Sequence, residues 1–391
     1  MHDRLNPDLL LEIRKHGELS IEKCFNCGNC TAICPLSANG ETFPRRLIRY
    51  AQLGLEAPLL GSKELWLCYA CGECTETCPR QADPGEFMAV ARRYAVARYD
   101  PLGLARVLFT RPLVGVPLLV LLGVAIALVV YTSHGVMPSD TLRLFEFLPA
   151  VAIHDLGVGA MVLVGLAGLA GVVNMLRCLH GESAGTAAPP AGRHWVRALW
   201  DTLGGEVLAQ RRYRQDCRTA ADRRPWFVQK WFVHGLMLWG FLGLLAATTL
   251  DYGLALAGVK PIGAWVPLWY PVRLLGTVAG LSMVAGTSIA ILNRLRRADV
   301  TTSRSSLADW ALLVLLWLAG TSGLVLEAAI YLPRPAPWVY WLLLGHVAVS
   351  VELLLLLPFT KFAHALYRTV AVYSHALTAA PAPERSEAVV G

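Results

Sequence analysis

The chain of 391 residues has little charge: only 16% of its residues are Asp, Glu, Lys or Arg, whereas 55% are hydrophobic. A soluble domain has roughly a quarter of charged residues, so a wholly soluble protein is excluded. A mean hydropathy of +0.47 over this length requires several membrane-spanning segments. The net charge of +7 comes mostly from loops between apolar segments, and we therefore expect no nucleic-acid binding.

Two further features are missing. Residues 1–20 mix charged residues with leucine and lack the apolar stretch of a cleavable signal peptide, so we expect the N-terminus to stay in the cytoplasm. The sequence also has no Cys-x-x-Cys-His motif, which excludes covalent c-type haem.

Six long apolar segments follow Arg111, each near or above the ~20 residues that cross a bilayer. They are residues 112–132, 150–176, 231–254, 272–293, 307–331 and 338–360. The sequence therefore predicts an all-α protein in three parts. These are a soluble domain at 1–111, a six-span membrane domain at 112–370 and a C-terminal tail at 371–391.

Basic residues are concentrated in alternate loops: 177–230 holds ten and 294–309 holds four, whereas 133–149 and 332–337 hold one each. Because Lys and Arg remain on the cytoplasmic side, both ends of the chain are predicted to face the cytoplasm, with the protein in the cytoplasmic membrane. Within loop 177–230 we expect a flexible linker at 182–192. An amphipathic helix on the membrane surface, or a solvated linker helix, follows it.

Eight of the ten cysteines form one pattern twice. Cys-x-x-Cys-x-x-Cys-x-x-x-Cys-Pro occurs at 24–35 and at 68–79. In two-cluster ferredoxins the fourth cysteine of each run ligates the other cluster, whereas structural zinc normally uses separated pairs. We therefore predict two 4Fe-4S clusters. The first is held by Cys24, Cys27, Cys30 and Cys78, and the second by Cys68, Cys71, Cys74 and Cys34.

The sequence between the two cysteine runs looks helical at 43–53 and 62–67, which favours a helical ferredoxin fold over a β-rich one. This domain has no flavin-binding Gly-rich loop and no nucleophile motif, so it should relay electrons rather than carry out chemistry. Cys178 and Cys217 have no partner at ligand spacing and are expected to be plain thiols.

Four histidines lie in or beside the apolar segments: His154, His234, His346 and His364. Ionisable residues in a membrane are costly and suggest function. His346 and His364 are 18 residues apart, so one continuous helix would place them on one face about 27 Å apart, although Pro358 lies between them. The predicted orientation gives an outer pair, His154 with His346, and an inner pair, His234 with His364. Each pair would hold one haem b; the alternative is helix–helix hydrogen bonding.

Several ionisable residues lie near these histidines. Lys260 would hydrogen-bond a quinone carbonyl near the outer haem, or extend to the membrane surface. Asp155, Glu327 and Glu352 would exchange protons with a quinone, or pair with a cation at a helix end.

These residues carry a resemblance to known families. Cys68-Tyr-Ala-Cys71-Gly-Glu-Cys74-Thr-Glu-Thr-Cys78-Pro79 resembles the C subunit of heterodisulfide reductase. Through residues 232–235 and 357–364, the membrane half resembles the haem-bearing gamma subunit of respiratory nitrate reductase and the E subunit of heterodisulfide reductase. The gamma-subunit pattern has a further histidine where this chain has Leu244. Either the outer haem is lost and one haem b is bound, or His154 replaces that ligand; we expect His154 to replace it and two haems b to be bound.

The fusion of the two modules resembles the C subunit of the quinone-interacting membrane-bound oxidoreductases. That resemblance implies flavin and iron–sulfur partner subunits similar to the A subunit of heterodisulfide reductase. Electrons would pass between menaquinone or ubiquinone and adenylylsulfate reductase in sulfur metabolism. The alternatives are a heterodisulfide-reductase-type complex acting on a thiol disulfide, a haem-free anchor, and a transporter or redox-sensing membrane protein.

Overall fold

The computed structural model describes residues 5–37, 42–182, 193–216, 225–261, 263–297, 304–331 and 336–378. All regular structure in these ranges is helical, with no strand, which confirms the predicted all-α class. Cys217 and the predicted linker at 182–192, except Glu182, lie outside the described residues.

Eight helices, most of them short, form the N-terminal domain. They are α1 (Leu9–Arg14), α2 (Asn29–Ile33), α3 (Arg45–Gln52), α4 (Glu56–Leu60), α5 (Glu64–Leu67), α6 (Glu73–Glu76), α7 (Pro84–Tyr99) and α8 (Leu104–Thr110). The longest, α7, begins where the Asp83 side chain accepts a hydrogen bond from the Glu86 N–H and proline occupies the first helical position. The short helices α3 and α5 lie in the two segments where the sequence looked helical.

Six longer helices have the length and apolar composition of membrane spans, as predicted. They are α9 (Pro112–Tyr131), α11 (Ala150–Glu182), α14 (Lys230–Leu256), α15 (Pro271–Leu295), α16 (Leu307–Ala329) and α17 (Pro337–Leu356). The connections contain α10 (Leu144–Phe147), α12 (Arg193–Trp200), a π-helix (Asp201–Leu208) and α13 (Arg211–Asp216). Side chains such as Leu113, which is 91% exposed, form the apolar outer surface that a lipid environment requires.

Glycines bring α14 and α15 close together. A Cβ atom added at Gly240 would lie 2.6 Å from the backbone nitrogen of Met283, and one at Gly286 would lie 2.9 Å from Cβ of Leu236. Small residues allow helix backbones in a membrane to approach closely. This contact depends on the missing side chains.

Helix α11 is longer than a membrane span. Its 33 residues extend about 50 Å at 1.5 Å per residue, and its last turns enter the N-terminal domain. Met175 and Leu179 are buried in the hydrophobic core that this domain shares with the helix bundle, and the Asn174 side chain donates a hydrogen bond to the Tyr99 carbonyl at 3.0 Å. The helix continues past the predicted end at residue 176 because protein covers its last turns.

The last span ends before it reaches His364. Helix α17 ends at Leu356, a 3₁₀ turn covers Leu357–Phe359, and a separate helix, α18, runs over Ala363–Thr378. Proline cannot donate the next helical hydrogen bond, and its ring obstructs the preceding turn. The expectation of one continuous helix carrying His346 and His364 on the same face is therefore wrong. Helix α18 also crosses the predicted start of the tail at residue 371.

Buried charges join the two domains. Arg93 of α7 donates to Asp309 in the first turn of α16 at 3.2 Å, and Lys361 lies 3.0 Å from the same carboxylate. Asp309 also forms a capping box with Ser306. These contacts fix the N-terminal domain against one end of the bundle, which we call the near side; the opposite end is the far side.

Candidate redox sites

The two cysteine runs share one backbone conformation. Asn26 and Ala70, each two residues after the first cysteine of its run, have φ of 67° and 56°. Gly28 and Gly72, each one residue after the second cysteine, have φ of 89° and 98°. Glycine adopts this left-handed conformation without a steric penalty. The sequence repeat is therefore also a structural repeat.

The structure brings the first predicted ligand set together. One pocket is lined by Cys24, Cys27, Cys30 and Cys78, with Arg45 and Arg80 among its other residues. Burial, and then the neighbouring thiols of this set, raise the pKa of Cys30. Cys27 and Phe25, which both line this pocket, are exposed, so the pocket lies at the surface.

Thiols of the second set also lie near one another. The pKa of the Cys74 thiol is raised by burial and then by neighbouring thiols. Those neighbours are Cys68, Cys71, Cys30 and Cys34. The two sets are adjacent, because Cys30 belongs to the first set and the Asn29 side chain donates a hydrogen bond to the Thr77 carbonyl at 2.6 Å.

The donor chemistry fits 4Fe-4S clusters. None of the nine cysteines that the structure describes forms a disulfide. Metal binding would displace the protons of the ligating thiols despite the raised pKa of Cys30 and Cys74. The N–H groups of Ala70 and Ala82 donate to Sγ of Cys68 and Cys78, each at 3.4 Å. Hydrogen bonds to cluster sulfurs help to set reduction potentials. The assignment of individual cysteines to each cluster stays a prediction.

The predicted inner histidine pair lies on the near side. His234 of α14 and His364 of α18 have ring centres 6.3 Å apart. Nδ1 of His234 lies 3.2 Å from Oε1 of Gln210, and Nδ1 of His364 lies 2.5 Å from the Lys361 carbonyl. Oxygen acceptors on both Nδ1 atoms leave each Nε2 available as a metal ligand, the usual arrangement around a bound metal.

The separation of these rings fits a shared metal. Metal–nitrogen bonds of about 2.0 Å on either side place two imidazole centres about 6 Å apart. The pKa of His364 is lowered by burial and then by the nearby His234 ring, which keeps the ring in the neutral form that binds metal.

The far-side histidines contact different partners. The His154 ring lies against Tyr252 of α14, with ring centres 3.4 Å apart. Nδ1 of His346 lies 2.8 Å from the Ser322 hydroxyl, which donates to the Leu318 carbonyl at 2.6 Å. Ser322 therefore accepts from Nδ1 of His346. Within the described chain no ring contact joins His154 to His346, so their pairing stays a prediction.

The predicted quinone-binding residues also lie towards the far side. Lys260 forms an ion pair with Asp251 of α14, which directly precedes the Tyr252 that contacts His154. Asp155 is exposed on α11. Of the other carboxylates, Glu327 accepts from Thr277 at 2.6 Å and pairs with Arg273. Glu352 is buried against Gly123.

Aromatic side chains connect the near-side pair to the second cysteine run. Tyr69, directly after Cys68, stacks on Tyr213 of α13 with ring centres 6.1 Å apart. Tyr213 in turn meets the His234 ring edge-on at 5.5 Å. A continuous line of rings therefore runs from the Cys68 loop to the histidine pair.

Polar contacts reinforce the same junction. Arg368 of α18 donates to the Cys68 carbonyl at 3.2 Å, and its guanidinium carbon lies 4.0 Å from the centre of the Tyr69 ring. The Tyr69 hydroxyl donates to Glu206 of the π-helix at 2.7 Å. The connection after α11 and helix α18 therefore both contact the Cys68 loop.

Reasoning from the sequence missed these junction residues. Tyr69 occupies a variable position inside the second cysteine motif and Tyr213 lies outside it, and only the fold brings the two rings together. Arg368 lies four residues after His364, hence one turn further along the same helix face. That spacing is the one signal that would have singled it out.

The fold and the cysteine loops define a class: a helical iron–sulfur domain joined to six apolar helices of membrane-span length. A family model described as a 4Fe-4S dicluster domain matches residues 20–82. A second, described as citrate utilization protein B, matches residues 101–384, well over half of the chain. The chain belongs to the citrate utilization protein B family.

Individual relatives match shorter segments. The iron–sulfur C subunit of the CoB–CoM heterodisulfide reductase of Methanopyrus kandleri is 37% identical over 71 residues, which are 16% of this chain and 37% of that protein. Citrate utilization protein B of Escherichia coli is 27% identical over 148 residues, 37% of each chain. The C subunit of the H(2):CoB-CoM heterodisulfide,ferredoxin reductase of Methanothermobacter thermautotrophicus is 36% identical over 56 residues, covering 14% and 30%.

The chain thus spans about a third of the length of these curated relatives. Its N-terminal part is an iron–sulfur electron-transfer domain related to the C subunit of heterodisulfide reductase. No solved structure matches the chain.

Proposed function

We propose that the chain is the membrane electron-transfer subunit of a quinone-dependent oxidoreductase. One observation carries this proposal: the near-side histidines, at ring-centre separation 6.3 Å, adjoin the second cysteine loop through Tyr69 and Tyr213. A structural histidine pair has no need of a neighbouring cluster loop, whereas a redox chain requires short steps between its sites.

In this proposal His234 and His364 hold one haem b, and His154 and His346 hold a second. When bound, the haems and the two 4Fe-4S clusters supply one-electron transfer. Gln210 and the Lys361 carbonyl orient the near-side rings through Nδ1, and Ser322 orients His346. The chain's own contribution is to fix the order of the sites across the bundle.

The near side is the cytoplasmic side in this proposal, because the basic loops lie there. Quinone exchanges electrons in the membrane domain, with Lys260 and Asp155 as proposed far-side contacts. The exposed Cys27 side of the iron–sulfur domain meets flavin and iron–sulfur subunits. Adenylylsulfate reductase as the final partner is proposed on the sequence resemblance alone.

The test is a count of haem b and iron in the anaerobically purified full chain, by pyridine haemochrome spectroscopy and iron analysis. We expect two haems and about eight iron atoms, as two 4Fe-4S clusters contain, in addition to the haem iron. His364→Ala should remove one haem and leave the cluster signals in the EPR spectrum. His134→Ala is the matched control, because His134 is an exposed far-side residue whose Nδ1 contacts the Tyr131 carbonyl and whose ring lies beside Phe147 rather than beside another histidine of the predicted pairs.

Each result decides a different part. A single haem that survives His346→Ala would confine haem to the near side and refute the far-side site. The absence of haem from the wild-type protein would refute the proposal. The histidines would then serve in helix–helix packing. In that case the haem-free anchor becomes the function to pursue.

A further inference from the structure

Two arginines converge on one carbonyl at the junction between the domains. Arg92 of α7 donates to the Cys68 carbonyl at 2.6 Å and to the Leu65 carbonyl at 2.8 Å. Arg368, from the other end of the chain, donates to the same Cys68 carbonyl at 3.2 Å. Two guanidinium groups that share one acceptor repel each other.

The local chemistry contains a charge that offsets this repulsion. A 4Fe-4S cluster held by four thiolates is anionic, and Cys68 is the first thiol of the second set. Positive charge close to a cluster stabilises its reduced, more negative state, and net charge is one of the factors that set cluster potentials. The carbonyl contacts hold both cations beside this site.

The first set has a weaker arrangement. Arg45 and Arg80 lie among the residues of its pocket, but Arg80 is exposed, so water and salt screen its charge. Among the described residues neither arginine donates a hydrogen bond to the first cysteine loop. The guanidinium carbon of Arg80 lies 5.7 Å from the centre of the Phe25 ring. In the part of the chain that the structure describes, two arginines that donate to one cysteine carbonyl are found in the second set alone.

Arg368 also faces the histidine pair. It lies one turn beyond His364 on α18 and stacks over Tyr69, whose other neighbour, Tyr213, contacts His234. One cation is thus shared by the second cysteine set and by the near-side histidines.

We propose that Arg368, together with Arg92, is a charge-tuning and positioning residue that raises the reduction potential of the second cluster and of the redox group at His234 and His364. The consequence is that an electron is drawn to the junction of the two domains. The tuning involves no proton transfer and no covalent bond. The histidine part rests on the proposed function, whereas the cluster part requires only the two 4Fe-4S sites.

The test is an EPR-monitored redox titration of the purified full chain with Arg368→Gln, Arg368→Lys and Arg98→Gln. Glutamine can still donate to the Cys68 carbonyl, so Arg368→Gln removes mainly the charge. Arg98 is a matched control, since its side chain is 52% exposed and pairs with Glu56 rather than with a cysteine loop. A Cys27→Ser variant, which alters only the first set, assigns the two cluster signals.

We expect a more negative midpoint potential for the second cluster in Arg368→Gln, with the first cluster unchanged and with wild-type values in Arg368→Lys and Arg98→Gln. Where haem is present, one haem should shift in the same direction. An unchanged second cluster, or equal shifts in both clusters, would overturn the proposal. Loss of the second cluster from Arg368→Lys as well would assign Arg368 a purely structural role. Loss from Arg368→Gln alone supports the charge requirement.

A chain without haem would refute the proposed function but leave the cluster titration readable. A shift of the second cluster in such a chain would still establish the cluster part of the inference. The two failures are therefore distinguishable in one preparation.

Discussion

Replacing Asp309 by Asn removes the anion that two cations share at the boundary between the domains. The Asp309 side chain is 3% exposed and that of Arg93 is 12% exposed, whereas that of Lys361 is 45% exposed. Removing one partner of a buried ion pair costs about 3–5 kcal/mol, because the other charge stays buried without compensation.

The lower end of that range applies here. Lys361 can turn to solvent, and above pH 7, where Glu86 is ionised, Arg93 keeps the Glu86 carboxylate at 3.5 Å. The asparagine can still cap α16 through its side-chain oxygen. We therefore expect Asp309→Asn to lower the free energy of unfolding by about 3 kcal/mol.

The measurement is equilibrium unfolding in mixed detergent micelles, followed by tryptophan fluorescence. Asp140→Asn is the matched control, since it breaks an exposed pair with Arg143 and exposed pairs contribute little. The double variant Arg93→Gln/Asp309→Asn should lose less than the sum of the single variants, because it leaves no unpaired arginine. Equal stability of Asp309→Asn and Asp140→Asn would refute the role of this contact in joining the domains.

Two further predictions follow from packing and from buried titratable groups. Gly240→Ala should cost about 1–3 kcal/mol through overpacking between α14 and α15, whereas Gly157→Ala, with open space around it, should be neutral in the same unfolding assay. Burial raises the pKa of Glu86 to about 7 and lowers that of His16 to about 4. A raised carboxyl pKa makes stability fall as the pH rises from about 4.5 to 7, and a lowered histidine pKa makes it rise between about 4 and 6.5. Glu86→Gln removes the falling contribution, so the free energy of unfolding of this variant should increase with pH between about 4 and 6.5 through His16. A pH series of unfolding curves that matches wild type would contradict this prediction.

Local sequence information was sufficient for the spans and for the cysteine loops. Apolar runs of membrane length predicted all six long helices, and the doubled motif predicted the 4Fe-4S domain. Both signals depend on residues close in sequence. The far-side histidines depend on residues that are distant in sequence. The sequence could pair His154 with His346 only by their depth in the membrane, whereas in the structure His154 contacts Tyr252 and His346 contacts Ser322.

The junction contacts were beyond sequence reasoning for a different reason. Arg368 and Cys68 are 300 positions apart, and no periodicity relates a helix after the last span to a loop near the N-terminus. The predicted length of α11 was too short for a similar reason. The apolar residues of its final turns pack against the iron–sulfur domain rather than against lipid.

The break at Leu357–Phe359 separates the register of the two histidines in the last part of the chain. A residue inserted in the middle of α17 would rotate His346 by about 100° relative to the rest of that helix. His364 would keep its position, because the Arg93–Asp309–Lys361 contact and the Cys68 loop hold α18 from the other side. Insertions and deletions in the last span can therefore alter the far-side site while the near-side site keeps its geometry.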